Sequence, residues 1–469
     1  MGTREGAIAR IDDYFESGAF VGDLARLVAH PTESQKPEQS DHLHAYLDET
    51  IAPLLSEMGF TFQKFENSQV DKGPFLIASR IESGNLPTIL IYGHGDVVRG
   101  QVDQWRDGLS PFDVKVEDDR IYGRGTADNK GQHLINLMAL KSVLQERGSL
   151  GFNVKFILEM GEETGSPGLH AFCSEQADAL SADALIASDG PRLQPDTPTI
   201  FTGSRGGINF DLVVCLRDGA HHSGNFGGLL ADPAIILVHA LASITDQRGQ
   251  LAIDAWRPTS LTNDVRDLLA DLPVGDNSSG PAIDLDWGEA DLSPAERAFG
   301  WNSFAILAMK SGVPEAPVNA ISGEARATCQ LRFVVGTDPE AILPSLRAHL
   351  DKFGFQMVKI DTETGALFQA TRLSTDHPLL HFVAESLEAT SGNFPHILPN
   401  LAGSLPNDCF ADILGLPTIW IPHSYAGCSQ HAPNEHLLKS VSQDALRCMA
   451  GLYWDLADAP QRAFQSPSI

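Results

Sequence analysis

The stretch Thr88 to Asp96 reads TILIYGHGD: an aliphatic run, then a histidine and an aspartate set among glycines. So short and dense a run suits a strand covered on both faces. Two more runs share the form. Val154 to Leu158 (VKFIL) leads into Glu159-Met160-Gly161-Glu162-Glu163-Thr164-Gly165, and Ala184 to Ala187 (ALIA) leads into Ser188-Asp189-Gly190. Between the first two, Arg124 to Gly131 (RGTADNKG) opens a helical pattern. Leu134, Met138, Lys141 and Leu144 fall on one side of it, and Gly148 is a plausible stop. Strands alternating with helices predict an α/β sheet. The polar residues sit just past the carboxyl ends of the strands, where open α/β sheets bind ligands.

The texture changes near Arg205. Asn209 to Leu216 alternates like a half-exposed strand. Asp232-Pro233 reads as an N-cap and first-turn proline before the helix AIILVHALASI. Ala325 to Val335 alternates again, and the helical stretch AILPSLRAHLDKF follows with Pro344 obscuring its start. From Pro378 the first texture returns, with a helix, the buried strand Thr418 to Ile421, Gly427-Cys428-Ser429-Gln430-His431, and a last helix. At roughly 150 residues per domain, 469 residues suit about three units, or two domains with one interrupted. The expected layout is a catalytic α/β domain in residues 1–204 and 373–469, interrupted by an α+β domain in residues 205–372. Asp271 to Asp291 reads as a long loop, and Arg205, at the junction, as a hinge or structural residue.

A formal net charge of -28 repels phosphate polymers and anionic membranes, so nucleic-acid and membrane partners are not expected. No run approaches the roughly 20 apolar residues of a membrane helix, and the mixed, charged N-terminus lacks a secretory pattern. The six cysteines are scattered without C-x-x-C, which reads as reduced thiols in a cytoplasmic protein. No G-x-S-x-G or phosphate-loop motif occurs.

Taken singly, the polar residues have plain readings. His94 with Asp96 is a histidine satisfied by a local carboxylate. Glu162-Glu163 is a solvated pair, Asp128 an N-cap, Asp189 a turn residue. Together, two histidines and three carboxylates at one sheet edge form a divalent-metal pattern, and mixed imidazole and carboxylate donors suit zinc, with cobalt or manganese as alternatives.

The segments GHGDVV, GRGTADNKG, EMGEETGS, ASDG and QHAPNE resemble, in content and order, the dizinc family of carnosinases, aminoacylase, acetylornithine deacetylase and succinyl-diaminopimelate desuccinylase, with motifs nearest the carnosinase-like dipeptidases. The resemblance implies a zinc-peptidase-like domain with a mostly parallel central sheet and an inserted lid that also dimerises. It implies that Asp128 bridges two metal ions, that His94 and Asp189 complete one site, and that Glu163 and His431 complete the other. Asp96 would hold the His94 ring, and the Asp128–Asn129 peptide would be cis. Glu162 would act as general base toward a metal-bridging hydroxide attacking an amide carbonyl.

By the same resemblance, GAHHSGNFGG makes His222 the residue that reaches the partner subunit's site and stabilises an oxyanion. Arg332 would bind a substrate carboxylate, with Asn319 and Ser404 as further contacts. The implied activity is hydrolysis of a dipeptide or N-acyl amino acid with a free carboxylate, by a cytoplasmic homodimer. The rivals are an amidase or esterase acting on another small metabolite, and a non-catalytic binding protein of the same fold.

Overall fold

A computed structural model describes residues 2–275, 281–362 and 367–464. The elements that position the site are, along the chain, helix α1 (Arg4–Glu16), strands β1 (Thr61–Phe65), β2 (Phe75–Arg80) and β3 (Thr88–His94), helix α2 (Lys130–Arg147), and strands β4 (Asn153–Glu159), β5 (Ala184–Ala187) and β6 (Thr199–Phe201). Then come β7 (Gly206–Cys215), α3 (Pro233–Ile244), β8 (Ser303–Ser311), β9 (Glu324–Phe333), α4 (Pro339–Lys352) and β10 (Lys359–Asp361). The chain ends through α5 (Pro378–Ser391), β11 (His396–Leu398), β12 (Thr418–Trp420) and α6 (Lys439–Asp458).

The main sheet has the order β1-β2-β4-β3-β5-β12-β6-β11. It is mixed, with a parallel centre. β3 runs parallel to β4 and β5, β12 to β5, and β11 to β6. β1–β2 and β2–β4 are antiparallel, as is the single pair Trp420–Phe201. The short link between β1 and β2 can only reverse the chain, because a parallel neighbour needs a long crossover. Strand alternation buries both faces. Ile89, Ile91, Phe156 and Ile186 join the core beneath the helices α2 and α6, while Leu90, Tyr92, Ile157 and Leu185 join a second core on the other side. α2 departs from the one-sided pattern. Lys130 to Leu140 are buried around its whole circumference, because α1 and α6 flank it. It ends at Gly148, which takes a left-handed conformation.

The second sheet, β8-β9-β7-β10, is antiparallel, and Leu367–Phe368 also pairs with β7. Ile208, Phe210 and Leu212 with Cys329, Leu331 and Phe333 face the helices α3 and α4 in a third core. The opposite face therefore carries Gly207 and Asn209 beside Arg332 and Gln330, which pair across the two strands. Asp232 caps α3 by accepting from the Ala234 N–H at 2.8 Å. The same signal starts α4, where Asp338 accepts from Glu340 N–H at 3.0 Å and Pro339 is the first residue. Pro344 lies inside that helix. β8 carries no alternation to mark it, since most of its residues, among them Ile306, Leu307 and Met309, are exposed. Of the loop from Asp271 to Asp291, residues 276–280 lie outside the described residues, and the rest is neither helix nor strand. Arg297 pins it by donating to the Leu285 carbonyl at 2.8 Å. Among the described residues no helix is long and apolar enough to cross a membrane.

Candidate active site

The parallel strands β3, β4 and β5 end on one side of the sheet, and their last residues and following turns supply the site. His94 closes β3, Glu162 and Glu163 form a short turn after β4, and Asp189 follows β5. Asp128 precedes α2, and its peptide bond to Asn129 is cis. His431 arrives from the loop after β12, where Ser429, His431 and Asn434 all have positive φ, an arrangement that non-glycine residues hold only when their surroundings fix it.

Two trios result: His94, Asp128 and Asp189, and Asp128, Glu163 and His431. His94 Nε2 is 3.0 Å from Asp128 Oδ1 and 3.6 Å from Asp189 Oδ2. His431 Nε2 is 2.9 Å from Asp128 Oδ2 and 3.0 Å from Glu163 Oε2. Each Asp128 oxygen thus serves one trio. Ligand atoms around a tetrahedral zinc ion stand about 3.4 Å apart, and these four distances of 2.9–3.6 Å lie near that spacing.

The electrostatics point the same way. Burial, then repulsion from Asp128, pushes Glu163 up to about 7 and Asp189 up to about 6. Burial also raises Glu162 well above the usual carboxylate range; His94 opposes this, and Glu163, Asp189 and Asp128 add to it. Asp128 goes the other way. Burial disfavours its charge, but bonds from His431 and His94 hold it far below the usual range. Buried carboxylates that repel one another, each beside an imidazole, form a donor set that divalent cations neutralise.

The surrounding shell fixes these groups. The His94 Nδ1 bonds to the Asp96 backbone carbonyl at 3.1 Å, while the Asp96 carboxylate lies 3.4 Å away. That carboxylate instead accepts from the backbone N–H groups of Glu162 and Glu163, each at 3.1 Å. Asp96 therefore aims the glutamate pair as well as the imidazole. Gln430 donates to Asp128 Oδ2 at 2.5 Å.

Glu435, at the end of the QHAPNE segment, was not legible as a site residue. One carboxylate oxygen accepts from the N–H groups of Gly125, Ala127 and Asp128 at 3.0–3.1 Å, and the other accepts from Arg124 at 2.7 Å. Both side chains are 1% exposed. The signal was its place in the same short motif as His431. Glu435→Ala strands a buried guanidinium and three donors, so stability should fall by about 3–5 kcal/mol, read as a lower urea midpoint. An unchanged midpoint would show that this network does not hold the Asp128 loop.

Glu162, Glu163 and His431 open onto a cavity of about 200 Å³ whose far wall is formed by Gly207, Asn209, Gln330, Arg332, Phe368 and Ser404. Arg332 donates to Ser404 Oγ at 2.9 Å. Gly207 permits this approach, since a Cβ there would lie 3.1 Å from that hydroxyl. Arg205 is buried and ties the junction, donating to Ser303 Oγ at 2.6 Å and to the carbonyls of Ala298 and Arg332. His222 and Asn319 do not line the cavity. Both are exposed, and their segments meet: His222 pairs with Ala320, and the Ser223 N–H donates to the Asn319 carbonyl at 2.8 Å.

A model of peptidase family M20/M25/M40 matches residues 90–455, a span that holds both trios and Glu162. The chain belongs to this family. As an M20/M25/M40 peptidase it is 29% identical to the cysteinylglycine-S-conjugate dipeptidase of Corynebacterium striatum over 316 residues, 66% of this chain and 67% of that enzyme. It is 34% identical to the beta-Ala-His dipeptidase of Mus musculus over 220 residues, 46% of this chain and 42% of that enzyme. This second match thus spans less than half of the mouse enzyme's length. The M20 family metallo-carboxypeptidase Sso-CP2 of Sulfolobus solfataricus superimposes with a TM-score of 0.79 at 25% identity, covering 93% of this chain and 99% of that one. The M20/M25/M40 chain is a metallopeptidase, and its fold agrees with the resemblance carried by its motifs.

Proposed function

We propose that the chain hydrolyses the amide bond of dipeptides, or of N-acyl amino acids with a free carboxylate, with two divalent ions held by the two trios. The carrying observation is that Glu162, Glu163 and His431 share one small cavity with Arg332. The names of the two relatives, both dipeptidases, support the substrate class. Zinc suits the imidazole and carboxylate donors best, with cobalt or manganese as alternatives. His94, Asp128 and Asp189 would hold one ion, and Asp128, Glu163 and His431 the other. When bound, the ions supply a Lewis acid for the scissile carbonyl and lower the pKa of water.

The side chains do the rest. Glu162 takes a proton from the attacking water, whose oxygen bonds to the carbonyl carbon. As the C–N bond breaks, Glu162 returns the proton to the leaving nitrogen. Arg332, held by Ser404, fixes the substrate carboxylate as a two-pronged donor. Asp96 keeps the Glu162–Glu163 turn in place. His222 and Asn319, exposed and away from their own cavity, serve the site of a second copy, where His222 donates to the developing oxyanion. Exposed Ile306, Leu307 and Met309 on β8 and Ile235 and Val238 on α3 support a homodimer formed through the 205–372 domain. Residues 1–204 and 373–469 form the catalytic domain. The scattered thiols support a cytoplasmic setting.

The test is hydrolysis of a panel of dipeptides and N-acyl amino acids by purified enzyme, before chelation, after chelation and after zinc is restored. Chelation should remove at least about 99% of turnover and zinc should restore it. Cleavage that survives complete metal removal, or no cleavage with two ions bound, would overturn the reading.

A further inference from the structure

The wall of the cavity opposite the metal trios is built from the exposed face of the second sheet. Register places Asn209 directly across from Gln330, and Gly207 across from Arg332. Gln330 Nε2 donates to Asn209 Oδ1 at 2.9 Å. One such bond uses one donor group and one acceptor, so the pair still presents a donor and an acceptor to the cavity. That holds whichever way round the two amides point, since turning both over exchanges the roles and leaves the same remainder. Among the described residues on this face of β7 and β9, the charged groups nearest the pair are already engaged. Asp211, next on the same face of β7, is bound by Arg326 at 2.8 Å, and Arg332 is the group that takes the carboxylate.

The geometry points to a subsite for the side chain of the substrate's C-terminal residue, selective for uncharged groups that both donate and accept hydrogen bonds: carboxamides, hydroxyls and neutral imidazoles. This rests on the proposed amide hydrolysis with Arg332 holding the carboxylate. With the scissile carbonyl at Glu162 and the carboxylate on Arg332, the C-terminal residue's α-carbon lies between them. Gln330 is two residues from Arg332 on one strand, about 7 Å away on the same face. A side chain of glutamine or histidine length spans that gap, and Phe368 provides an apolar wall for its methylenes. An aliphatic side chain of equal size would leave the amide pair desolvated with nothing to bond.

The test uses the zinc-loaded enzyme and size-matched pairs: alanyl-glutamine against alanyl-methionine, and alanyl-asparagine against alanyl-leucine. The wild type should favour the amide member of each pair by about tenfold in kcat/KM. Asn209→Leu with Gln330→Met should abolish or reverse that preference while aliphatic substrates are still cleaved. Gln330→Glu keeps the size and adds a charge, and should raise kcat/KM for alanyl-lysine above the wild-type value, a gain that misfolding does not produce. Equal cleavage of both members of each pair by wild type, or an unchanged preference in the variants, would overturn the subsite and leave the hydrolase reading intact. Cleavage of none of the dipeptides would overturn both.

Discussion

Glu162→Gln should bind both metal ions and turn over about 10⁴-fold more slowly than wild type, with KM changed by less than about threefold. Glu162 belongs to neither ligand trio, so its loss removes no donor. The amide keeps the volume of the carboxyl and leaves the backbone N–H on Asp96 undisturbed. What disappears is the ability to take a proton from water and hand it to the leaving nitrogen. That group acts twice in one cycle, so the loss belongs at the upper end for general acid–base catalysis. The variant should also unfold no more easily than wild type, because it removes one member of a mutually repelling group of carboxyls. The measurement is steady-state kcat with metal content determined on the same sample. Turnover within tenfold of wild type would take the proton-transfer role away from this residue.

Asp128→Ala should cost both ions, and activity should fall to background. Each oxygen of Asp128 faces a different imidazole, so one substitution damages both trios. Losing a partner that only orients a ligand lowers metal affinity by about 10–100-fold, so loss of a shared ligand should cost at least about 100-fold at each position. Glu163→Ala is the comparison, since it touches only the trio with His431. Direct metal counting should give fewer than one tightly held ion in the first variant and about one in the second. Equal counts in the two would show that Asp128 does not link the sites.

Much of this was legible from sequence because the chemistry sits where the pattern breaks. Runs such as TILIY and ALIA announce buried strands, and the residues after them have no packing reason to be His, Glu or Asp. The asymmetry of the main sheet was not legible, because an antiparallel edge strand and a parallel central one are both short apolar runs. β8 escaped for a related reason: apart from Phe304, which packs on the third core, its large apolar residues face outward, so burial imposes no period on them. The network around Glu435 was hidden because its partners, backbone N–H groups at positions 125–128, have no sequence signature. The Asn209–Gln330 pair depends on strand register, which joins residues 121 positions apart.

The position of β12 bears on how the protein is made. It lies between β5 and β6 in the sheet, yet it is translated more than two hundred residues after them. Until residues 396–398 and 418–420 leave the ribosome, β5 is an open edge of the sheet and β6 has neither of its two strand neighbours. At roughly 5–20 residues per second that exposure lasts at least about ten seconds, and open edges invite pairing with other chains. His431 follows within a dozen residues of β12. The strand that covers the β5 edge and the last side chain of the two trios are therefore delivered together, so a nascent chain that still exposes that edge has not yet brought the trios together.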